Sequence, residues 1–261
     1  MFRRIVKITL CLAGLFLFII SAACLHVITV FIPGKKWRAF SRLNKYFARF
    51  LTMIAGVRCV VHGREHVPRS PGFLLISNHV TYLDGVLLGS IFPVIYLSKS
   101  AIKRWPLVNW MATISGTIFV DRIRKSAAAT TVDEMAARMK HQANVLLFPE
   151  GTSTNADVLK KFQSVFFAAP LVCKAPLVPV VIRYRAIDRQ PVTRLNRHRI
   201  FWWGQNSFHD HLSQLLYSKA IEAEIQILPA IESAAFQDSS EGRKALAQHA
   251  HDIINAQYPL L

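Results

Sequence analysis

The stretch from Ile8 to Ile32 runs for 25 residues without a Lys, Arg, Asp or Glu, and it limits what this chain can fold into more than any other feature. About 20 apolar helical residues cross a hydrocarbon core, so the segment is long enough to do so. The small residues Ser21, Ala22, Ala23 and Cys24 imitate a cleavage site, but the apolar sequence continues through Val27, Ile28, Val30 and Phe31. That length exceeds a signal-peptide core and favours a retained anchor. Its flanks are basic: Arg3, Arg4 and Lys7 precede it, Lys35, Lys36, Arg38, Arg42, Lys45 and Arg49 follow, and the first acid is Glu65. These nine charges make up about half of the formal net charge of +17. The heavier flank comes second, so the positive-inside bias places the rest of the chain on the cytoplasmic face, while charge on both sides also suits a helix that dips in and returns.

From Lys36 to Ala55, Trp37, Phe40, Leu43, Phe47, Leu51 and Ile54 recur at steps of three and four, which predicts one apolar helical face. Arg38, Arg42, Lys45 and Arg49 fall on the other faces. Such a helix suits a membrane interface among anionic lipids, and the competing reading packs it on its own domain. The four cysteines, Cys11, Cys24, Cys59 and Cys173, form no CxxC pair. They read as small buried hydrophobes in a reducing compartment. The histidine pairs His62/His66, His209/His211 and His249/His251 lack a Cys or Glu at ligand spacing, so no metal site is expected.

After the anchor, short apolar runs alternate with helical patterns. Strands are expected at Val57 to Val61, Gly72 to Ser77, Val94 to Ser98, Thr117 to Val120, Val145 to Phe148 and Leu177 to Arg183, with helices near Leu83 to Ile91, Leu107 to Ile114 and Ala127 to His141. Ile200 to Trp203 reads as a further strand, Ala220 to Leu228 as a half-exposed one, and Ser240 to Ala256 as a last helix. The expectation is an α/β fold: a mixed, largely parallel sheet flanked by helices, preceded by an N-terminal membrane-anchoring helical segment. Residues 1–56 form the anchor and amphipathic helix, and 57–261 one catalytic domain.

At one strand-to-helix junction stands Ser77-Asn78-His79-Val80-Thr81-Tyr82-Leu83-Asp84. Thr81 and Asp84 have capping-box spacing, which would make Asp84 an ordinary helix cap. The same bend lets the carboxylate fold back on His79, fixing one ring nitrogen as donor and leaving the other to take a proton from a hydroxyl. The local pattern leaves both readings open.

Four motifs in order resemble the glycerolipid acyltransferase family that includes 1-acylglycerol-3-phosphate acyltransferases. They are His79 through Asp84, preceded by Asn78; Gly116 through Arg122; Phe148-Pro149-Glu150-Gly151-Thr152; and Val178-Pro179-Val180-Val181-Ile182. Lys99-Ser100 with Trp105-Pro106, and Trp202-Trp203-Gly204 with Phe208, are similar to family features too, and the resemblance covers Lys36 to about Leu216. It implies that a lysolipid hydroxyl attacks the thioester of acyl-coenzyme A or acyl carrier protein, a co-substrate rather than a cofactor. His79 would act as base and Asp84 would stabilise its imidazolium, with nearby N–H groups holding the oxyanion. Asn78, Thr81, Lys99, Arg122, Glu150, Gly151, Thr152 and Lys161 would line the substrate site, with Arg122 the first choice for gripping a phosphate.

One departure concerns the acceptor. The position after Glu150-Gly151-Thr152 is commonly arginine in lysophosphatidate acyltransferases and is Ser153 here, with Lys161 a candidate replacement charge. The leading acceptor is 1-acylglycerol-3-phosphate, giving phosphatidate; lysophosphatidylcholine-type and lyso-ornithine lipids are the alternatives. The expected partners are membrane lipids, the lysolipid and the acyl donor. An esterase would need a Gly-x-Ser-x-Gly elbow, which the chain lacks. A non-catalytic basic membrane-surface protein would explain the charge but not the ordered motifs. No nucleic-acid partner is expected, since no helix-turn-helix, zinc finger or aromatic RNA-binding signature is present.

Overall fold

The computed structural model describes residues 2–100, 106–120, 125–204 and 206–258. Its chain begins with two long helices, α1 (Phe2–Phe31) and α2 (Lys36–Ala55), joined by a short turn. An eight-stranded sheet follows: β1 (Val57–His62), β2 (Leu74–Ser77), β3 (Val94–Lys99), β4 (Ile118–Val120), β5 (Asn144–Leu147), β6 (Leu177–Ile187), β7 (Gln190–Pro191) and β8 (Ile221–Ile227). Interleaved with them are α3 (Leu83–Ile91), α4 (Pro106–Ile114), α5 (Lys125–Lys140), α6 (Ala168–Cys173), α7 (Phe208–Tyr217) and α8 (Ser240–Ala256).

The strand order is β1-β8-β6-β2-β5-β3-β4, with β7 added beside β6. The block β6-β2-β5-β3-β4 is parallel throughout, and β8 runs antiparallel to β6. Every residue of β2 and β5 is buried, which is why their sequences, Leu-Leu-Ile-Ser and Asn-Val-Leu-Leu, show no alternation: a sheet covered on both faces has no polar side. By contrast β8 alternates, burying Ile221, Ala223, Ile225 and Ile227 and half-exposing the residues between. Leaving β2, the chain builds β3, β4 and β5 on one side and later returns to add β6 on the other. A switch of this kind opens a crevice at the carboxyl ends of β5, β2 and β6, the usual ligand-binding place in open α/β sheets.

The helical hairpin is packed along the domain. The apolar stripe of α2 faces inward: Phe40 and Ile54 are buried, Phe47 stacks against Phe18 of α1 with ring centroids 4.5 Å apart, and Asn44 donates to the carbonyls of Val94 and Ser115. What α2 shows to solvent is a stripe of Arg38, Arg42, Tyr46, Arg49 and Met53. Both ends of α1 touch the domain. Arg4 reaches the Tyr217 hydroxyl and Lys7 the Ser218 carbonyl, each at 2.8 Å, while His26 Nε2 lies 3.1 Å from the Ile114 carbonyl. The helix from Arg4 to Phe31 is long and apolar enough to cross a membrane.

Two expectations need correction. Ile200 to Trp203 is not a strand but a loop, whose apolar content reflects burial of Ile200 and Phe201 in the core and whose Trp202 N–H donates to the Val80 carbonyl. Nor are the cysteines buried, since Cys24 is exposed on α1 and the other three are half-buried.

Candidate active site

Residue His79 follows β2 directly and lies in the crevice between β5 and β6. Its Nδ1 is 2.9 Å from Asp84 Oδ2. That same oxygen accepts the N–H groups of Val80 and Thr81 at 2.7 and 2.9 Å, and Oδ1 accepts the Tyr184 hydroxyl at 2.7 Å. Asp84 therefore has four donors and a side chain 0% exposed, against 19% for His79. An acceptor-only oxygen at this position makes Nδ1 the ring nitrogen that donates, which leaves Nε2 as the acceptor. Phe148, at the end of β5, stacks on the imidazole with centroids 4.0 Å apart and fixes the ring plane from the other side.

Only one arm of the capping box forms, the Asp84 carboxylate accepting the Thr81 N–H. Thr81 Oγ1 is 3.5 Å from the Leu83 N–H and caps nothing else, and the residue preceding α3 is Tyr82. Asp84 takes the N–H groups of Val80 and Thr81, and the turn it closes is the one that presents His79.

Behind His79 lies Glu150. Oε1 accepts the His79 backbone N–H at 2.8 Å and Oε2 accepts the Lys160 N–H at 3.1 Å, so this buried carboxylate ties the catalytic-type loop to the segment after β5. Burial pushes its pKa up to about 7, against a partly offsetting pull from the two backbone donors and a smaller upward push from Asp84. The Thr154 N–H closes the connection by donating to the His79 carbonyl at 2.9 Å. Between them Gly151 turns the chain at φ +77°, a left-handed conformation that glycine adopts without strain.

The remaining candidates are placed as follows. Asn78 is buried and bridges β2 to β6, accepting the Ile182 N–H at 2.8 Å and donating to its carbonyl at 3.1 Å; Thr81 is also fully buried. Both brace the loop and have no open side toward a substrate. Thr152 is half-buried, and Lys161 and Lys99 are exposed, the latter at the carboxyl end of β3. Arg122 lies outside the described residues. The N–H groups of His79, Val80 and Thr81, beside which an oxyanion was expected, are all engaged by carboxylates. The amides of Thr152 and Ser153 make no hydrogen bond among the described residues.

Sequence reasoning missed Tyr184, 100 residues from Asp84 and joined to it only by the β2–β6 pairing. It also missed Tyr82, whose hydroxyl lies 3.0 Å from His211 Nδ1 and whose ring packs edge-on against Trp202 and Phe208. For His211 a signal existed: Ser207 and Asp210 mark the start of α7, with Ser207 accepting the Asp210 N–H.

A crevice at a switch point holds a histidine locked by a buried carboxylate, with no serine or cysteine hydrogen-bonded to that histidine among the described residues, an arrangement able to exchange a proton with a hydroxyl directly. The family described as Acyltransferase matches residues 58–183. A lyso-ornithine lipid O-acyltransferase of Rhizobium meliloti (strain 1021) is 26% identical over 96% of this chain and 86% of its own length. The 1-acyl-sn-glycerol-3-phosphate acyltransferase of Saccharomyces cerevisiae (strain ATCC 204508 / S288c) is 27% identical over 94% of this chain and 88% of its own. In fold, the chain is similar to the crystal structure of the 1-acyl-sn-glycerophosphate acyltransferase of Thermotoga maritima, with a TM-score of 0.61 over 98% of this chain and 96% of that one at 16% identity. The chain belongs to the glycerolipid and lysophospholipid acyltransferase family, and it is an acyltransferase of lysolipids.

Proposed function

We propose that the protein works at the membrane surface, moving a fatty acyl group from acyl-coenzyme A or acyl carrier protein to the free hydroxyl of a lysolipid, with His79 as the general base. The observation that carries this reading is the His79–Asp84 pair in the crevice, its carboxylate held by three further donors. His79 Nε2 takes the proton of the acceptor hydroxyl as its oxygen bonds to the thioester carbonyl carbon. The negative charge moves to the carbonyl oxygen, for which the amides of Thr152 and Ser153 are the available donors. Collapse breaks the carbon–sulfur bond, and the imidazolium returns its proton to the departing thiolate. Asp84 stabilises the imidazolium in between.

A lyso-ornithine lipid is the acceptor we favour over 1-acylglycerol-3-phosphate. Ser153 stands where an arginine would grip a phosphate, and the relative from Rhizobium meliloti bears a lyso-ornithine name. The second acceptor keeps support from the yeast relative and from the exposed Lys161. Membrane association rests on α1, whose outer face exposes Leu12, Phe16, Leu17, Val27 and Phe31. Contact of both its ends with the domain suits a helix lying along the surface, and the heavier basic flank after it supports a catalytic domain on the cytoplasmic side.

The test supplies purified protein with acyl-coenzyme A or acyl carrier protein and a panel of lyso-ornithine lipid, 1-acylglycerol-3-phosphate and lysophosphatidylcholine. The expected product is ornithine lipid. Transfer confined to 1-acylglycerol-3-phosphate would reverse the choice of acceptor, and transfer to none of the three would refute the reaction.

A further inference from the structure

At the opposite end of the sheet from His79 lies a second concavity of about 390 Å³. Its floor is apolar, built from Phe73, Phe92, Pro93 and Ile227 at the ends of β2, α3 and β8. Its rim carries four arginines: Arg38 and Arg42 from α2, and Arg64 and Arg69 from the loop between β1 and β2. No Asp or Glu lines it, and among the described residues none of the four arginines has an ion-pair partner. Of the four guanidinium groups, among the described residues only that of Arg38 makes a hydrogen bond, to the Gln142 carboxamide oxygen at 3.1 Å.

Uncompensated guanidinium groups that crowd one rim repel each other, and a fold tolerates that where an anion completes the cluster. The neighbouring Lys45 registers the same field, its pKa being lowered by burial and then by Arg49 and Arg64. The position says which anion. The rim adjoins the turn between α1 and α2, where Val30 is 73% and Phe31 82% exposed, the most exposed large apolar side chains of α1. Arg38 follows that tip by only a few residues. Apolar side chains at hydrocarbon depth with arginines one step above is the arrangement that meets a lipid headgroup. An apolar floor beneath a cationic rim also suits an amphiphile better than a free ion.

We propose that the pocket rimmed by Arg38, Arg42, Arg64 and Arg69 is a second lipid site, separate from the catalytic crevice, that takes the headgroup phosphate of an anionic membrane phospholipid. Guanidinium groups grip a phosphate in bidentate fashion. Binding there would dock the far pole of the sheet onto the bilayer, and it does not depend on which lysolipid is acylated at His79.

The test uses the full chain and flotation with vesicles of phosphatidylcholine, alone or with one third phosphatidylglycerol. Three proteins are compared: the unaltered chain, Arg42→Gln/Arg64→Gln, and the control Lys174→Gln/Lys244→Gln, which removes the same charge from exposed positions elsewhere. The pocket variant should bind the phosphatidylglycerol vesicles at least tenfold more weakly than the other two. All three should bind phosphatidylcholine alike and transfer acyl groups equally in detergent, which verifies folding. Equal loss in the control would assign the effect to diffuse charge and overturn the proposal, as would an unaffected pocket variant. Calorimetry with inorganic phosphate separates the two phosphate sources. Saturable binding of free phosphate that the pocket substitutions abolish, with vesicle binding unchanged, would give the pocket to a soluble anion instead.

Discussion

Asp84 is the residue on which the geometry converges, and its environment makes two side chains testable. Among the described residues Tyr184 supplies the one donor to Oδ1, from within a buried setting. Tyr184→Phe keeps the ring and removes that donor, leaving a buried carboxylate oxygen unsatisfied at a cost of about 1–3 kcal/mol. The expected result is a kcat lowered about tenfold with KM unchanged, because the change loosens the orientation of His79 without touching substrate. Glu150 gives a pH prediction. Unfolded, it ionises near 4.5; folded, burial raises it to about 7. The unfolded chain gives up this proton first, so its contribution is fully present below pH 4.5 and is lost as pH rises toward 7, roughly 3 kcal/mol at ~1.4 per unit. Glu150→Gln cannot titrate, so Tm measured from pH 4.5 to 7.5 should fall less steeply than in the unaltered protein. Of these residues the sequence disclosed His79, Asp84 and Glu150, since each belongs to a short contiguous motif. Tyr184 was not legible because its contact depends on strand pairing across 100 residues.

Among the elements, legibility followed burial pattern. The helix Ser240–Ala256 and the helix Leu83–Ile91 match their expected limits, and the buried strands β2 and β5 and the partly buried β3 stood out as apolar runs bounded by turn residues. A continuous apolar run does not distinguish a buried strand from a buried loop, which is how Ile200 to Trp203 was misread. The helix α6 was missed for the converse reason, since 6 residues are too short to establish a period, and α7 was missed although Ser207 marks its start. In the hairpin, periodicity identified the apolar face of α2 but not what covers it. The cover is partly α1, and Gly14 permits the approach. A Cβ there would lie 2.0 Å from a ring carbon of Phe50. Gly14→Leu should therefore prise the two helices apart at a cost of about 1–3 kcal/mol, lowering Tm by roughly 2–10 °C. Thermal unfolding in detergent checks this, and an unchanged Tm would mean that α1 is not packed on α2 in solution.

At the scale of the whole molecule, charge and shape agree. A cluster of basic residues on α2 and the loop after β1 lies beside the exposed apolar face of α1, while the His79–Asp84 pair occupies the crevice at the other end of β2. The mixed, largely parallel sheet was foreseeable from alternating elements, but the strand order was not, because which strands become neighbours is decided by packing between segments far apart in sequence. That order matters for function: it brings the residues after β5 and those on β6 to either side of His79. Removing the imidazole tests this account most directly. In membranes carrying the purified His79→Ala protein, acyl transfer to the preferred lysolipid should fall by at least 10²-fold, the range for loss of a general base, with flotation and Tm unchanged. Transfer at the unaltered rate by that variant would contradict the assignment of His79 and the mechanism built on it.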